Sequence, residues 1–460
     1  MKHFAAQTGN DWAVHIVVVG AGEVGSYVAD RLSREGHDVA VVEKDPARRR
    51  FVDEHFDVLT VLGSGTHPET LMAAGIERAD LVVAVTKDDA ANLLSSLLAK
   101  QYGVARTIVR VEAAELRCKE AQPLLGASEV DLVIDPDEEV ANEILELLDF
   151  PGASEVAVMG NGEIVTLGAR LGPDAPLVGR SLREIGQDYE PEWDFIVGSI
   201  TRGEQTIIPR GDYVLEAGDL VRLVCKRRAR RLVSSLLGLP TGVPHRVMLL
   251  GGGRTGRILA KKLTGRGIDV LMIERDEVRA RQLAEMLDRT LVIQGDITDA
   301  EVLDEADVRR YDVVVALTGE DDANILACLY AKSAGTPETI AVVHRLSLLS
   351  LLNQAGVDVA LSPRTATANG VLRFVRGDIA QVATFLEGDA ELLEFSIRGG
   401  SAADGRRIDE LDLNKEVLIS AILRDGKPQI ARGRTRLRKD DHIVVFATPQ
   451  AVDGVARLFG

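Results

Sequence analysis

Gly20-Ala21-Gly22-Glu23-Val24-Gly25 is followed, 18 residues after its last glycine (43 less 25), by Glu43. Glycines at this spacing serve three purposes. Gly20 lets the chain turn tightly, Gly22 brings bare backbone up to a phosphate, and Gly25 lays a helix close to a strand. The helix then offers unpaired N–H groups and the positive end of its dipole to an anion. A carboxylate at Glu43 can accept both hydroxyls of a ribose. The chemistry marked by these residues is the holding of a nucleotide.

The same residues occur twice. Gly251-Gly252-Gly253-Arg254-Thr255-Gly256 and Glu274 repeat the first set at an offset of 231 (251 less 20, 274 less 43). Gly295 answers Gly63 and Asn324 answers Asn92, both at 232. Leu317-Thr-Gly-Glu-Asp-Asp-Ala-Asn324 repeats Val85-Thr-Lys-Asp-Asp-Ala-Ala-Asn92. Farther along, Ile200-Thr-Arg202 matches Ile422-Leu-Arg424 at 222, and Gly179 matches Gly405 at 226. A period this long marks duplicated globular domains and not a solenoid.

Strands and helices must position these residues. Apolar runs at His15–Val19, Val39–Val42, Val58–Leu62, Leu81–Thr86, Thr107–Val111 and Val130–Ile134 read as strands. Helical patterns lie between them, which predicts an α/β fold with a doubly wound parallel sheet. After Pro151-Gly152 the strands shorten and turns multiply, so a small α+β domain is expected, with Cys225–Leu237 as a helix leading out of it. The division expected is 1–13 as a flexible extension, 14–150, 151–238, a linker at 239–244, 245–384 and 385–460.

Composition narrows the function. The chain has 460 residues, 46% of them hydrophobic, and a formal net charge of −17, which argues against a nucleic-acid partner. Cys118, Cys225 and Cys328 form no CxxC pair, so neither disulfides nor a metal site is expected and the chain reads as cytoplasmic. No apolar run reaches the roughly 18 residues of a membrane span. Residues 1–13 carry no apolar core of a signal peptide.

Other residues admit two readings. Ser64, in Gly63-Ser64-Gly65, faces either a crevice or an ordinary strand-to-helix turn. Thr86 either lines the crevice or caps the next helix. Arg110 reaches a phosphate or makes a surface ion pair. Asp88-Asp89 and Glu320-Asp321-Asp322 are read as first-turn acids and not as a metal or acid–base pair. The basic run Lys226–Arg231 is read as a solvated helix face. Eight scattered histidines and small His-poor second domains provide no acid–base site for hydride transfer, so no catalytic residue is expected. An NAD-dependent oxidoreductase with a duplicated fold is the alternative.

GAGEVG with Glu43, GSGTHPETL, VAVTKDDAAN, PLVGRSLREI and IIPRGDYVLEAGD together resemble the RCK (KTN) family, and two such units in tandem cover nearly the whole chain. The resemblance implies two Rossmann-like domains, each followed by a small α+β domain, in a non-enzymatic regulator of potassium transport. It implies a homotetramer ring on the cytoplasmic face of the membrane, under an integral-membrane Trk-type potassium transporter or channel subunit. The cofactors implied are NAD(H) and ATP or ADP. Gly20, Ala21, Gly22, Glu23, Val24 and Gly25 would surround the phosphates, and Glu43 would hold the ribose. Ser64, Thr86 and Arg110 would line the adenine and phosphate sides. In the second half the same roles fall to Gly251, Gly253, Arg254, Thr255 and Gly256, with Glu274, Asp296 and Thr318. Arg110 is taken to be answered by His344 and Ser64 by Asp296, so the second site is expected to be weaker or differently selective. The two glutamates are expected to favour an unphosphorylated ribose over NADP(H).

Overall fold

The structure, a computed structural model, describes residues 14–34, 36–116, 130–190, 193–203, 205–376, 382–384, 390–448 and 451–459. The expected extension at 1–13 and Cys118 lie outside the described residues. The chain forms two compact units. One is Met1–Glu139 with Pro363–Val375, the other Val140–Ser362 with Arg376–Gly460.

In the first unit six strands, β1 (His15–Val19), β2 (Asp38–Glu43), β3 (Leu59–Leu62), β4 (Leu81–Ala84), β5 (Arg106–Arg110) and β6 (Leu132–Ile134), make one sheet. Its order is β3-β2-β1-β4-β5-β6, and every pairing is parallel. β1 is buried along its whole length, as a strand covered on both faces must be, and Val17 pairs with both Ala40 and Val82. The helix Glu23–Arg34 turns Val24, Val28 and Leu32 inward at four-residue spacing. The strand order reverses between β1 and β4, which opens a crevice at their carboxyl ends.

A helix from far along the chain completes this unit. Pro363–Arg376 buries Ala368, Val371, Leu372 and Val375 against Ile16, Val18, Val24 and Val28. Arg106 donates to the Val375 carbonyl at 3.4 Å, and its guanidinium lies 5.9 Å from the Phe374 ring centre.

The second unit begins within the helix Pro136–Leu148. Lys262 donates to Asn142 at 2.6 Å and Arg266 pairs with Asp149 at 3.2 Å. Strands β7 (Glu155–Met159), β8 (Ile164–Arg170), β9 (Phe195–Arg202), β10 (Gln205–Ile207) and β11 (Leu220–Lys226) form an antiparallel sheet ordered β10-β9-β11-β8-β7. Fully buried Arg222 is held there by Glu155 at 2.6 Å and by Thr201. β12 (Arg246–Leu250), β13 (Asp269–Glu274), β14 (Thr290–Gln294), β15 (Val313–Ala316), β16 (Glu338–Val342) and β17 (Val359–Leu361) repeat the parallel sheet, ordered β14-β13-β12-β15-β16-β17. β18 (Val382–Thr384), β19 (Glu391–Ser396), β20 (Val417–Arg424), β21 (Lys427–Ile430) and β22 (His442–Ala447) form a second antiparallel sheet, ordered β18-β19-β22-β20-β21.

The tandem α/β architecture stands as the sequence implies. The repeat in the antiparallel sheets is exact in chemistry: Arg202 clamps Asp219 at 2.7 Å, and Arg424 clamps Asp441 at 2.7 Å, each pair at the 222 offset. One element is corrected. Cys225 does not open a helix but lies buried in β11, and the helix is Arg230–Leu236. β11 is an interior strand, and the basic residues at its end are drawn off to specific partners. Lys226 and Arg228 both bind Asp194, at 2.9 and 2.8 Å, and Arg227 donates to the Gly162 carbonyl.

Candidate nucleotide site

The crevice is built from the glycine turn upward. Gly20 has φ +103°, and a Cβ there would come within 2.9 Å of Thr86 Cγ2, so the turn touches the carboxyl end of β4 directly. A Cβ on Gly25 would lie 1.8 Å from the Gly20 carbonyl oxygen, which fixes the helix against the turn. Above Gly22 there is open space, with no atom within 4 Å of a Cβ built on it. The bare backbone at Gly22 and the unpaired first-turn amides of the helix starting at Glu23 thus face a free volume suited to a phosphate. Gly251, Gly253 and Gly256 reproduce each relation, with contacts of 3.0 Å to Thr318, none, and 2.3 Å to the Gly251 carbonyl.

Glu43 is buried at the end of β2, and both its oxygens are engaged by backbone. Oε2 accepts the Ala21 amide at 2.6 Å and Oε1 the Asp45 amide at 2.8 Å. Glu274 does the same for Gly252 and Asp276, each at 2.9 Å. The acid therefore shapes the turn from beneath in both halves.

Thr86 is tied to the start of the next helix. It donates to Asn92 Oδ1 at 2.7 Å and accepts the Asp88 amide at 3.1 Å. Buried Asn92 also donates to the Arg110 carbonyl at 2.9 Å and so ties β4, β5 and the helix Asp89–Gln101 together. Thr318 and Asn324 repeat this, with Asn324 donating to the Val342 carbonyl. Asn92 had served in the sequence only as a marker of the repeat. Its recurrence at the same place in both copies, six residues after a threonine, is the signal that could have found it. Of the neighbouring acids, Asp88 is the N-cap of this helix and accepts the Ala91 amide, while Asp89, in its first turn, accepts the Glu112 and Ala113 amides.

Ser64 accepts the Thr66 amide, and Asp296 accepts the Thr298 amide, so the two occupy equivalent turns. The amide and hydroxyl of Thr298 hold the Asp296 carboxyl below its usual range. Arg110, mostly buried, is ion-paired with Glu112, and its buried Nε has no hydrogen-bond partner among the described residues.

The asparagine bonds correct one equivalence. Arg110 is answered by Val342, and not by His344, which answers Glu112. The second crevice still lacks a cation at the strand end, but for a different reason: an apolar residue stands there. His344 and the adjacent Arg345 are both bound to Asp321 at 3.1 Å. Burial pushes the Asp321 carboxyl up, yet the amides and side chains of His344 and Arg345 outweigh it and hold the carboxyl below its usual range.

Arg364, at the start of the helix Pro363–Arg376, pairs with Glu23 of the first glycine turn. Sequence reasoning missed this residue, because 341 positions separate the partners (364 less 23). Among the described residues no group of His, Cys, Asp or Glu could hold a metal ion. None of their helices is long and apolar enough to cross a membrane.

Comparison with known proteins agrees with this geometry. The TrkA-N domain model matches residues 16–136 and 247–363, and the TrkA-C domain model matches 167–238 and 392–460. The chain is 34% identical over 451 residues to the Trk system potassium uptake protein TrkA of Vibrio alginolyticus, covering 96% of this chain and 98% of that one. It is 34% identical over 448 residues to a TrkA homolog of Archaeoglobus fulgidus, covering 97% and 100%. Among solved structures, a GsuK channel bound to NAD aligns with a TM-score of 0.60 at 18% identity, over 99% of this chain and 81% of that one. A GsuK RCK domain aligns at 0.59 and 18%, over 100% and 98%. These two establish the likeness of fold.

Proposed function

The chain belongs to the TrkA family of Trk system potassium uptake proteins, and on that premise we propose that it is a nucleotide-sensing regulatory subunit of a potassium transport system. The family is named for potassium uptake and not for a reaction, and the chain is not an enzyme. Its partner is an integral-membrane Trk-type subunit. The chain acts at the cytoplasmic face as a homotetramer ring whose shape depends on NAD(H), ATP or ADP. The domain division at 150, 238, 244 and 384 belongs to the same proposal.

One observation carries this reading. The glycine turn, the open space over Gly22 and the Thr86–Asn92 clasp recur in full at Gly251, Gly253 and Thr318–Asn324. A duplicated cradle in a family of transport regulators fits ligand sensing. A nucleotide shifts a gate only if it binds two arrangements of the protein unequally.

The test is potassium flux through the copurified membrane subunit in proteoliposomes, with the full chain and either ATP, ADP or NADH. Flux that differs between nucleotides is expected. Flux that depends on the chain but is indifferent to all three would overturn nucleotide sensing, and flux indifferent to the chain would overturn the regulatory role.

A further inference from the structure

The two parallel sheets differ in the first residue of their fifth strand. Arg106 opens β5 and Glu338 opens β16, and strand register makes them equivalent. Leu81 lies beside Arg106 as Val313 lies beside Glu338, each pair at the 232 offset (338 less 106, 313 less 81). Each holds the chain at the end of a helix remote in sequence. Arg106 donates to the Val375 carbonyl at 3.4 Å, in the last turn of Pro363–Arg376. Glu338 Oε1 accepts the Gly152 amide at 3.2 Å, just beyond Pro136–Leu148. The first contact uses a permanent cation, the second a group that can lose a proton.

Several segments meet at Glu338. Phe150-Pro151-Gly152-Ala153 is a tight turn. The Ala153 amide donates to the Phe150 carbonyl at 3.0 Å, Pro151 takes the first corner, and Gly152 takes the second at φ +78°. A Cβ on Gly152 would meet Pro240 and Leu239 at 3.1 and 3.2 Å, so the turn lies against the linker. The turn is the entrance to the first antiparallel sheet, and the linker is its exit. Glu338 is 5% exposed, and its buried Oε2 has no hydrogen-bond partner among the described residues. The charged groups that bear on it are Asp358 and Lys332, paired with each other at 2.7 Å. Asp149, before the turn, is paired with Arg266 at 3.2 Å. Both cations are thus engaged by other acids. A neutral acid suits this place, since it accepts the amide and buries no charge. A carboxylate there has one amide for two oxygens and is cut off from solvent.

We propose that Glu338 and Gly152 form a proton-operated latch between the second parallel sheet and the first antiparallel sheet. It is closed while the acid is neutral. On ionisation the proton goes to solvent, the turn at 150–153 moves off Glu338, and water reaches the carboxylate. Arg106 gives the first parallel sheet no such response. The latch is independent of the nucleotide-sensing reading above.

Hydrogen exchange of the full chain tests this, read at the Gly152 and Ala153 amides after correction for the intrinsic rate. Opening frees the acid to its ordinary value of 4.5, so it becomes more frequent as pH rises toward about 7 and levels off above that. Protection at these amides should fall about tenfold from pH 6 to pH 8 in wild type. It should stay within about twofold in Glu338→Gln, which keeps the acceptor and cannot ionise. β8 and β11, in the same antiparallel sheet, should hold their protection at both pH values, which separates release of the latch from unfolding. Wild-type protection that is the same at both pH values, a fall shared by β8 and β11, or an equal fall in Glu338→Gln overturns the inference. If Glu338→Gln does not fold, the wild-type comparison decides alone: a fall confined to the turn supports the latch, and any other pattern overturns it.

Discussion

Asn324 donates to the carbonyl oxygen of Val342 at 2.8 Å, as Asn92 does to that of Arg110 at 2.9 Å. Both asparagines are fully buried, and each also satisfies the amide and carbonyl of the threonine that ends the preceding strand. Replacing Asn92 with Ala strands these buried groups. A loss of about 2–4 kcal/mol is expected in urea unfolding. Asn324→Ala should cost a similar amount, since its bonds are the same; a loss under about 0.5 kcal/mol in either would contradict this account of the clasp.

Glu43 holds the glycine turn through the Ala21 amide and the next helix through the Asp45 amide. Glu43→Ala should lower the melting temperature without any ligand and weaken adenine-nucleotide binding by about 1–3 kcal/mol. Glu43→Gln, which keeps one acceptor, should fall between. An alanine variant with wild-type melting and wild-type affinity would show that the acid shapes nothing.

Leu372 is 1% exposed and packs in the core of the first parallel sheet, far from it in sequence. Leu372→Ala should destabilise that sheet by about 2–5 kcal/mol. Hydrogen exchange should accelerate at Ile16, Val17 and Val18 of β1, and an effect confined to residues near 372 would count against the packing described.

Glu338, 5% exposed, accepts the Gly152 amide through Oε1 at 3.2 Å, while its buried Oε2 has no partner among the described residues. Burial pushes its carboxyl from 4.5 up to about 7, with Asp358 adding to the rise and Lys332 and the amide opposing it. Between those values the folded chain keeps a proton that the unfolded chain has lost. This group's contribution is therefore full below pH 4.5 and is lost as pH rises through 7, by up to about 3 kcal/mol. Glu338→Gln should flatten that part of the stability–pH curve measured by urea unfolding from pH 5 to 8. An unchanged slope would show that Glu338 ionises normally.

Much of this was legible in the sequence because it is local. The glycine spacing, the apolar run His15–Val19 and the acid at Glu43 each depend on a few neighbours. The pairing of Arg110 with Val342 was not. Matching charged residue to charged residue let the alignment slip to His344, whereas the register is set by a buried asparagine bonding to a strand carbonyl. Cys225 was drawn into a helix by the basic residues after it, although Leu220–Cys225 is strand. The position of Pro363–Arg376 was hidden for a different reason. The spacing of Ala368, Val371, Leu372 and Val375 shows which face is covered, but not which sheet covers it.

That helix has a consequence for the history of the chain. The first parallel sheet takes its covering helix from residues encoded after the second, while Pro136–Leu148, which follows the first sheet, belongs from Val140 onward to the second unit. Recombination that exchanged only the first half between related genes would pair a sheet with a helix selected beside a different neighbour. Substitutions at Leu372 and Val28 should therefore be constrained jointly, although 344 positions separate them (372 less 28).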